Sequence, residues 1–360
     1  MMTIRPILIM AGGTGGHVFP ALAVADELRI RGIPVVWLGT RAGIEARLVP
    51  QAGFSIEWLS ISGLRGKGIL STLLMPVKLL IACAQATRVL FRRKPCAILG
   101  MGGFAAGPGG VMAWLLRKPL LIHEQNAIPG LTNRLLSLVA DQALEAFPGT
   151  LGKHAICVGN PVRRKITDIS PPDQRFINHK GALRVLVVGG SLGAARLNEL
   201  MPEALSMMEK NVRPEVLHQA GEKNLQVTLS LYKKFGVEAR VEAFIDDMPD
   251  AYAWADLVIC RAGAMTVFEL AAAGLGSILV PYPYAVDDHQ TANAEYLEQA
   301  GAAIVCQQKD LSGEWLSGTI NQLAQQRDRV LKMARAARQQ AKPDAANKVA
   351  MLCMQAGGLS

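Results

Sequence analysis

The six cysteines of this chain, at positions 83, 96, 157, 260, 306 and 353, include no Cys-x-x-Cys pair. Neither a zinc ribbon nor a dithiol redox motif therefore has support. With mostly apolar neighbours, they read as reduced core thiols of a cytosolic protein. A long hydrophobic run is also missing. The longest apolar segment, residues 69–84, is interrupted by Pro76 and Lys78 and is too short and broken to span a bilayer. The apolar stretch 7–10 runs straight into glycines with no cleavage pattern, so no secretory leader is read. Acid is absent from residues 61–95, where Arg65, Lys67, Lys78, Arg88, Arg92, Arg93 and Lys94 lie. Aromatics are scarce there too, with Phe91 alone, which argues against a nucleic-acid surface built on stacking.

What is present is core and glycine. Half of the 360 residues are hydrophobic, enough for two domains of ordinary size. Charge is divided unevenly. Residues 1–162 carry 16 Lys+Arg and 7 Asp+Glu, a net of +9, whereas residues 163–360 carry 22 of each. A glycine turn in matching context occurs twice. Ile7-Leu8-Ile9-Met10 leads into Gly12-Gly13-Thr14-Gly15-Gly16-His17, and Val185-Leu186-Val187-Val188 leads into Gly189-Gly190-Ser191-Leu192-Gly193. An apolar strand feeding glycines and a helix start is an anion site in outline, because free N–H groups and the helix dipole favour phosphate. Two copies half a chain apart predict an α/β protein of two Rossmann-like domains facing a cleft.

The pattern along the chain agrees. Strands are predicted near 4–10, 34–38, 55–59, 97–100, 119–123 and 155–158, with helices near 20–31, 71–92, 108–117 and 129–139. The second half repeats the alternation, with strands near 184–188, 214–219, 238–243, 257–260, 277–281 and 302–305. Such alternation implies parallel sheets with helices on both faces and ligands beyond the carboxyl ends of the strands. The boundary is set near Gly159-Asn160-Pro161-Val162-Arg163, giving domains 1–162 and 163–343, with an amphipathic helix at 344–356 expected to pack back on the first.

Several clusters carry chemistry. The spacing in residues 12–17 is not a dinucleotide G-x-G-x-x-G and no Walker lysine follows, so the choice lies between a ligand-free tight turn and a cradle that uses Thr14 and His17. Six glycines in residues 100–110 offer a second phosphate cradle, or else flexible packing around a buried helix. His123-Glu124-Gln125-Asn126 ends a strand and either faces a cleft or forms a satisfied structural network. In Cys260-Arg261-Ala262-Gly263-Ala264-Met265-Thr266-Val267-Phe268-Glu269, small residues and Thr266 open a helix suited to a diphosphate. Glu269 suits a ribose diol, or is simply an acid favoured by the helix dipole. Pro281-Tyr282-Pro283-Tyr284 and then Asp287, Asp288, His289 and Gln290 suit sugar hydroxyls. A metal is not favoured, since Asp287, Asp288 and His289 are neighbours on one turn with no second ligand cluster. In residues 61–95, Leu70, Leu73, Leu74, Val77, Leu80 and Ile81 keep helical spacing beside basic flanks. That pattern fits an anionic membrane surface; the alternative is that these residues cover the sheet.

Taken together, residues 10–20, 61–67, 100–110, 123–126, 159–163, 187–194, 244–248 and 260–269 closely resemble one family over almost the whole chain. It is the bacterial UDP-N-acetylglucosamine–N-acetylmuramyl-(pentapeptide) pyrophosphoryl-undecaprenol N-acetylglucosamine transferase family, of glycosyltransferase-B architecture. The resemblance implies inverting transfer of N-acetylglucosamine from UDP-GlcNAc to lipid I, giving lipid II and UDP in peptidoglycan synthesis. It implies no cofactor and no catalytic metal, and work at the cytoplasmic face of the inner membrane. A cell-wall synthesis complex is the further partner class it raises. Phe244 and Ile245 are expected at the uracil, Glu269 at the ribose, and Ser191 with Ala264, Met265 and Thr266 at the diphosphate, with Val267 and Phe268 also counted as substrate-binding. Arg163 is expected near the nucleotide and Gln290 at the sugar. Thr14, Gly15, Gly16 and Asn126 are expected along the cleft, and Gly13, Gly102, Gly103 and Gly107 at the acceptor pyrophosphate. Phe104 stands where the family often has tyrosine, so no phenolic hydroxyl is available there. His17 is the first choice of catalytic base, because an imidazole suits neutral pH, with Glu124 and His123 as alternatives. Two rival readings share the donor: a UDP-GlcNAc 2-epimerase, which needs no lipid acceptor, and a non-catalytic UDP-sugar sensor.

Overall fold

The computed structural model describes residues 4–60, 75–189 and 194–359. The chain forms two compact units, Met1–Arg163 with Lys342–Ser360, and Arg164–Ala341. Arg163 thus goes with the first unit.

The first unit is built on a parallel sheet of seven strands: β1 Ile7–Met10, β2 Val35–Thr40, β3 Ser55–Leu59, β4 Ala97–Gly100, β5 Leu120–Glu124, β6 Gln142–Glu145 and β7 Ile156–Cys157. Their order across the sheet is β3-β2-β1-β4-β5-β6-β7. The chain builds outward from β1 in one direction, then from β4 in the other. The point of reversal lies between β1 and β4, where Met10 stands opposite Gly100 in register. Crevices at such reversals are where open parallel sheets hold ligands.

Every residue of β1 and β4 is buried, because helices cover both faces of the sheet. Side-chain alternation sorts the strands into two cores. Ile7, Ile9, Trp37 and Leu99 meet Val18, Val24 and Leu28 of the helix Gly15–Ile30. Leu8, Met10, Leu38 and Ile98 meet Ala86, Val89 and Leu90 of the helix Met75–Arg93, and Ala113 of the helix Ala106–Leu115. The last helix, Ala345–Ala356, closes the first of these cores with Val349, Ala350 and Cys353. It is tied to the helix Gly15–Ile30 where an Arg31 guanidinium N–H donates to Asn347 Oδ1 at 2.6 Å.

The second unit has six parallel strands: β8 Arg184–Val188, β9 Glu215–Gln219, β10 Arg240–Glu242, β11 Leu257–Cys260, β12 Gly276–Leu279 and β13 Ala303–Val305. Their order is β10-β9-β8-β11-β12-β13, with the reversal between β8 and β11. The buried Asp256 carboxylate, just before β11, accepts the Arg184 main-chain N–H and an Arg327 guanidinium N–H, each at 2.9 Å.

Two sequence expectations need correction. The helix predicted from about residue 20 starts at Gly15. Gly15, Gly16 and Pro20 are poor helix formers, but the turn after Thr14 must feed directly into the helix to pack it on β1. The strand β6 was not anticipated. Gln142-Ala143-Leu144-Glu145 has no β-branched residue, and it is extended because it pairs along β5.

Val349 is fully buried in the first unit. Val349→Ala is expected to cost about 2 kcal/mol. Urea unfolding followed by hydrogen exchange checks this, with lost protection falling on β1 and β4 rather than β8 and β11.

Candidate active site

The site in the first unit grows from the adjacent ends of β1 and β4. The Met101 N–H donates to the Met10 carbonyl at 2.8 Å, which brings the two glycine turns together. Gly102 and Gly103 have φ of +95° and +82°, a region that favours glycine. A side chain on Gly103 would collide with the Gly12 carbonyl oxygen, and one on Gly102 would lie 2.8 Å from Cε1 and Nδ1 of His17. These two glycines therefore let backbone approach backbone and leave room for an imidazole. Gly109 and Gly110 serve packing instead, since added side chains there would meet Met10 and Leu136.

Thr14 is extended (φ −123°, ψ 162°) at the head of the helix Gly15–Ile30, whose first residues are Gly15 and Gly16. His17 sits in the first turn, half-buried. Helix starts of this kind present main-chain N–H groups to solvent or ligand. Gly13 departs from the pyrophosphate expectation. Its N–H donates to Glu45 Oε2 at 2.8 Å, so that donor is already engaged. Glu45 is fully buried, and its Oε1 accepts from Thr40 N (3.0 Å) and Thr40 Oγ1 (2.7 Å). It is a residue that sequence reasoning missed. The signal was indirect: a side chain at Gly12, Gly39 or Gly43 would collide with this glutamate, so each glycine makes space for it.

The three candidate bases differ sharply in surroundings. His123 is fully buried, with Nε2 2.9 Å from the Gly159 carbonyl oxygen. Burial pushes its pKa down to about 4, so it stays neutral. Glu124 is buried and both its oxygens are engaged. Oε1 accepts from Asn126 N (2.9 Å) and Asn126 Nδ2 (3.3 Å), while Oε2 accepts from Asn133 Nδ2 (2.9 Å) and Gly130 N (3.2 Å). This carboxylate braces the loop after β5. The cleft-facing alternative drawn for these two residues is corrected accordingly: both lie inside a satisfied network. His17 keeps partial exposure, with Nδ1 2.9 Å from Gln125 Oε1. Asn126 is half-buried beside it in the chain, Gly107 is half-buried, and Phe104 is exposed. The Arg163 guanidinium lies 5.4 Å from the centre of the Phe19 ring, a cation–π distance.

In the second unit the helix Ala264–Ala273 follows β11 through an extended Gly263 (φ −65°, ψ 142°). Ala264, Met265 and Thr266 open its first turn. Val267 and Phe268 are corrected as ligand contacts. The Val267 N–H donates to the Gly263 carbonyl at 3.0 Å, and both side chains lie in the core, Phe268 stacked on Tyr296 at 5.6 Å. Glu269 is 9% exposed, and its Oε2 accepts from Tyr252 Oη at 3.0 Å. Tyr252 was not foreseen. Phe244 is 54% exposed and Ile245 is buried. Both line a cavity of about 1260 Å³ that also takes in Arg240, Asp247 and Trp254. Gln290 Oε1 accepts the Tyr282 N–H at 2.9 Å, after a turn in which Asp287 and Asp288 have φ of 52° and 50°. Arg261 braces the same region, reaching the carbonyls of Val280 and Pro281 at 3.2 Å and Gln308 Oε1 at 2.5 Å. Ser191 lies outside the described residues.

Comparison with known proteins gives consistent likenesses. Residues 7–145 match the glycosyltransferase family 28 N-terminal domain, and residues 184–349 match its C-terminal domain. The chain is 54% identical over 356 residues to the UDP-N-acetylglucosamine–N-acetylmuramyl-(pentapeptide) pyrophosphoryl-undecaprenol N-acetylglucosamine transferase of Nitrosococcus oceani, covering 98% of this chain and 99% of that one. The enzyme of the same name from Marinobacter nauticus is 53% identical over 354 residues, covering 98% of each chain. Among solved structures, Acinetobacter baumannii MurG superposes with a TM-score of 0.85 at 42% identity, over 98% of this chain and 99% of that one. A UDP-GlcNAc 2-epimerase from Neisseria meningitidis reaches a TM-score of 0.67 at 12% identity, a likeness of fold alone.

The two glycine roles are separable by stability. Gly103→Ala meets the Gly12 carbonyl at positive φ and is expected to cost at least about 2 kcal/mol. Gly107 lies in the first turn of the helix Ala106–Leu115, where an added side chain has its nearest neighbour, Thr132 Cγ2, at 3.7 Å. Gly107→Ala is expected to stabilise by about 0.5 kcal/mol. Urea denaturation of both variants reads the opposite signs.

Proposed function

The chain belongs to the UDP-N-acetylglucosamine–N-acetylmuramyl-(pentapeptide) pyrophosphoryl-undecaprenol N-acetylglucosamine transferase family, and we propose that His17 is the general base of its reaction. The enzyme is a UDP-sugar-dependent hexosyltransferase of peptidoglycan synthesis. It transfers N-acetylglucosamine from UDP-GlcNAc to lipid I, giving lipid II and UDP. An acceptor hydroxyl attacks the anomeric carbon directly, the bond from that carbon to the UDP oxygen breaks, and configuration inverts. The hydroxyl proton passes to the His17 imidazole, and the departing diphosphate needs compensation of its charge.

The observation that carries the base assignment is the contrast among three side chains. His17 keeps solvent access in the first turn of its helix, whereas His123 and Glu124 are buried in networks. For the leaving group, the start of the helix Ala264–Ala273 supplies main-chain N–H groups and a favourable dipole. Glu269, held by Tyr252, is assigned to the ribose diol, with Phe244 and Ile245 at the uracil and Gln290 at the sugar. In the first unit Thr14, Gly15, Gly16 and Asn126 line the acceptor side, with Gly102, Gly103 and Gly107 toward the acceptor pyrophosphate.

The first unit also carries a membrane-facing surface in this reading. On the helix Met75–Arg93, Val77, Leu80 and Ile81 are exposed, Leu80 by 70%, while Ala82, Ala86, Val89 and Leu90 face the core. Neighbouring helices extend the apolar face with exposed Val111, Trp114 and Leu115, and with Leu131 and Leu135. Exposed apolar surface of this extent marks an interaction site. The basic half is more modest than the sequence suggested. Glu57 of β3 accepts hydrogen bonds from both Arg92 and Arg93, leaving Arg88 and Lys94 exposed nearby. Residues 61–74, with Arg65, Lys67, Leu70, Leu73 and Leu74, lie outside the described residues. No helix among the described residues is long and apolar enough to cross a membrane.

Turnover is tested with labelled UDP-GlcNAc and a short-chain lipid I analogue. His17→Ala is expected to lower kcat by about 10²–10⁴-fold with UDP-GlcNAc affinity unchanged in calorimetry. Near-normal turnover of that variant would remove His17 from the mechanism. Sedimentation with anionic vesicles tests the apolar face: Leu80→Asp is expected to weaken partition about tenfold, the loss of roughly 1.4 kcal/mol of apolar burial. Equal partition of the two proteins would move the membrane contact elsewhere.

A further inference from the structure

Three hydrogen-bonding groups run in series behind His17, and their donor and acceptor roles have one consistent solution. The chain starts at the Gly159 carbonyl, 2.9 Å from His123 Nε2. A carbonyl oxygen only accepts, so His123 Nε2 carries a hydrogen. His123 is fully buried and neutral, which leaves its Nδ1 as a bare acceptor. The amide group of Gln125 lies with one atom 3.1 Å from that Nδ1 and 3.0 Å from the His123 main-chain oxygen. Both neighbours accept, so this atom is the Gln125 NH₂ group and the other is its oxygen. That oxygen is 2.9 Å from His17 Nδ1. An amide oxygen only accepts, so His17 Nδ1 carries a hydrogen.

We infer that Gln125, oriented by His123 and the Gly159 carbonyl, is a positioning residue that fixes the tautomer of His17, with Nδ1 protonated and the Nε2 lone pair free to take the acceptor proton. The consequence for the reaction rests on His17 being the base. Gln125 suits the task because it has little freedom. It is 1% exposed, and its own main-chain oxygen accepts from Asn160 Nδ2 at 3.0 Å. Gly102 leaves the imidazole its place, since a side chain there would lie 2.8 Å from the ring. An imidazole whose non-reacting nitrogen is held by an acceptor keeps its reacting nitrogen unprotonated and aimed. Gln125 does this with a neutral amide, so no second charge is placed beside the base.

The test begins on the unaltered full chain labelled with ¹⁵N-histidine, at a pH where imidazole is neutral. Two-bond ¹H–¹⁵N spectra distinguish the two tautomers, and the spectrum lost in His17→Ala identifies His17 among the six histidines. The expected result is His17 with hydrogen on Nδ1. Gln125→Met, similar in size and without hydrogen-bonding groups, is expected to give a mixture of tautomers. Its kcat should fall by about 10²–10⁴-fold with KM for UDP-GlcNAc unchanged. Gln125→Glu keeps an acceptor toward His17 and, with its other oxygen protonated toward His123, should recover the Nδ1–H form and part of kcat. Hydrogen on Nε2 in the unaltered protein would overturn the inference, as would Gln125→Met with undiminished kcat. If Gln125→Met does not fold, the unaltered protein's spectrum still decides. A protonated Nδ1 alongside full turnover of His17→Ala would sink the general-base reading and still support the tautomer assignment.

Discussion

The first unit depends on one close approach, that of the turn after β4 onto the turn after β1. Gly103 lies against the Gly12 carbonyl at a distance that admits no side chain, and the Met101 N–H closes the gap to Met10. Parallel strands in register bring those turns to the same edge of the sheet, and positive φ at Gly102 and Gly103 lets the second bend over the first. Everything with chemical interest in this unit is arranged around that contact. His17 occupies the space that Gly102 leaves open, and Glu45 ties the far side of the first turn to Thr40.

The same contact explains why polar groups are buried so densely here. A turn made of glycines has no side chains to hold its shape, so its N–H groups need partners from elsewhere. Glu45 supplies one from the segment after β2. The loop after β5 solves the same problem with Glu124, whose two oxygens collect donors from Asn126, Gly130 and Asn133. Buried carboxylates with several donors act as local anchors, and His17 is left the more accessible of the titratable side chains around the two turns.

The second unit repeats the topology with a different distribution of work. Its described turn after β11 relies on the helix Ala264–Ala273 itself, with the side chains of Val267 and Phe268 locked in the core to hold that helix start. The polar side chains proposed for recognition there are set by their neighbours. Tyr252 steadies Glu269, and Gln290 is held by the Tyr282 main chain. The charge pattern has the same lesson. A stretch without acid in sequence acquires Glu57 from another strand as partner of Arg92 and Arg93.

The sequence by itself determined the class of fold, most strand positions and the location of the glycine turns. Apolar runs ending in glycine and followed by helical periodicity have one economical arrangement, a parallel sheet with helices on both faces. The motifs also pointed to the family, and His17 was visible as a histidine just beyond Gly15-Gly16. Tertiary structure alone decided the rest. β6 is a strand because β5 offers an edge, not because Gln142-Ala143-Leu144-Glu145 prefers extension. Glu45 belongs to the site because folding carries it under Gly13, 32 positions away in sequence. His123, Glu124, Gln125 and Asn126 are consecutive in the chain, yet their roles separate once burial and hydrogen bonding are known. Local sequence sets what a segment can form; which polar groups meet, and which keep access to solvent, is fixed only when distant segments pack.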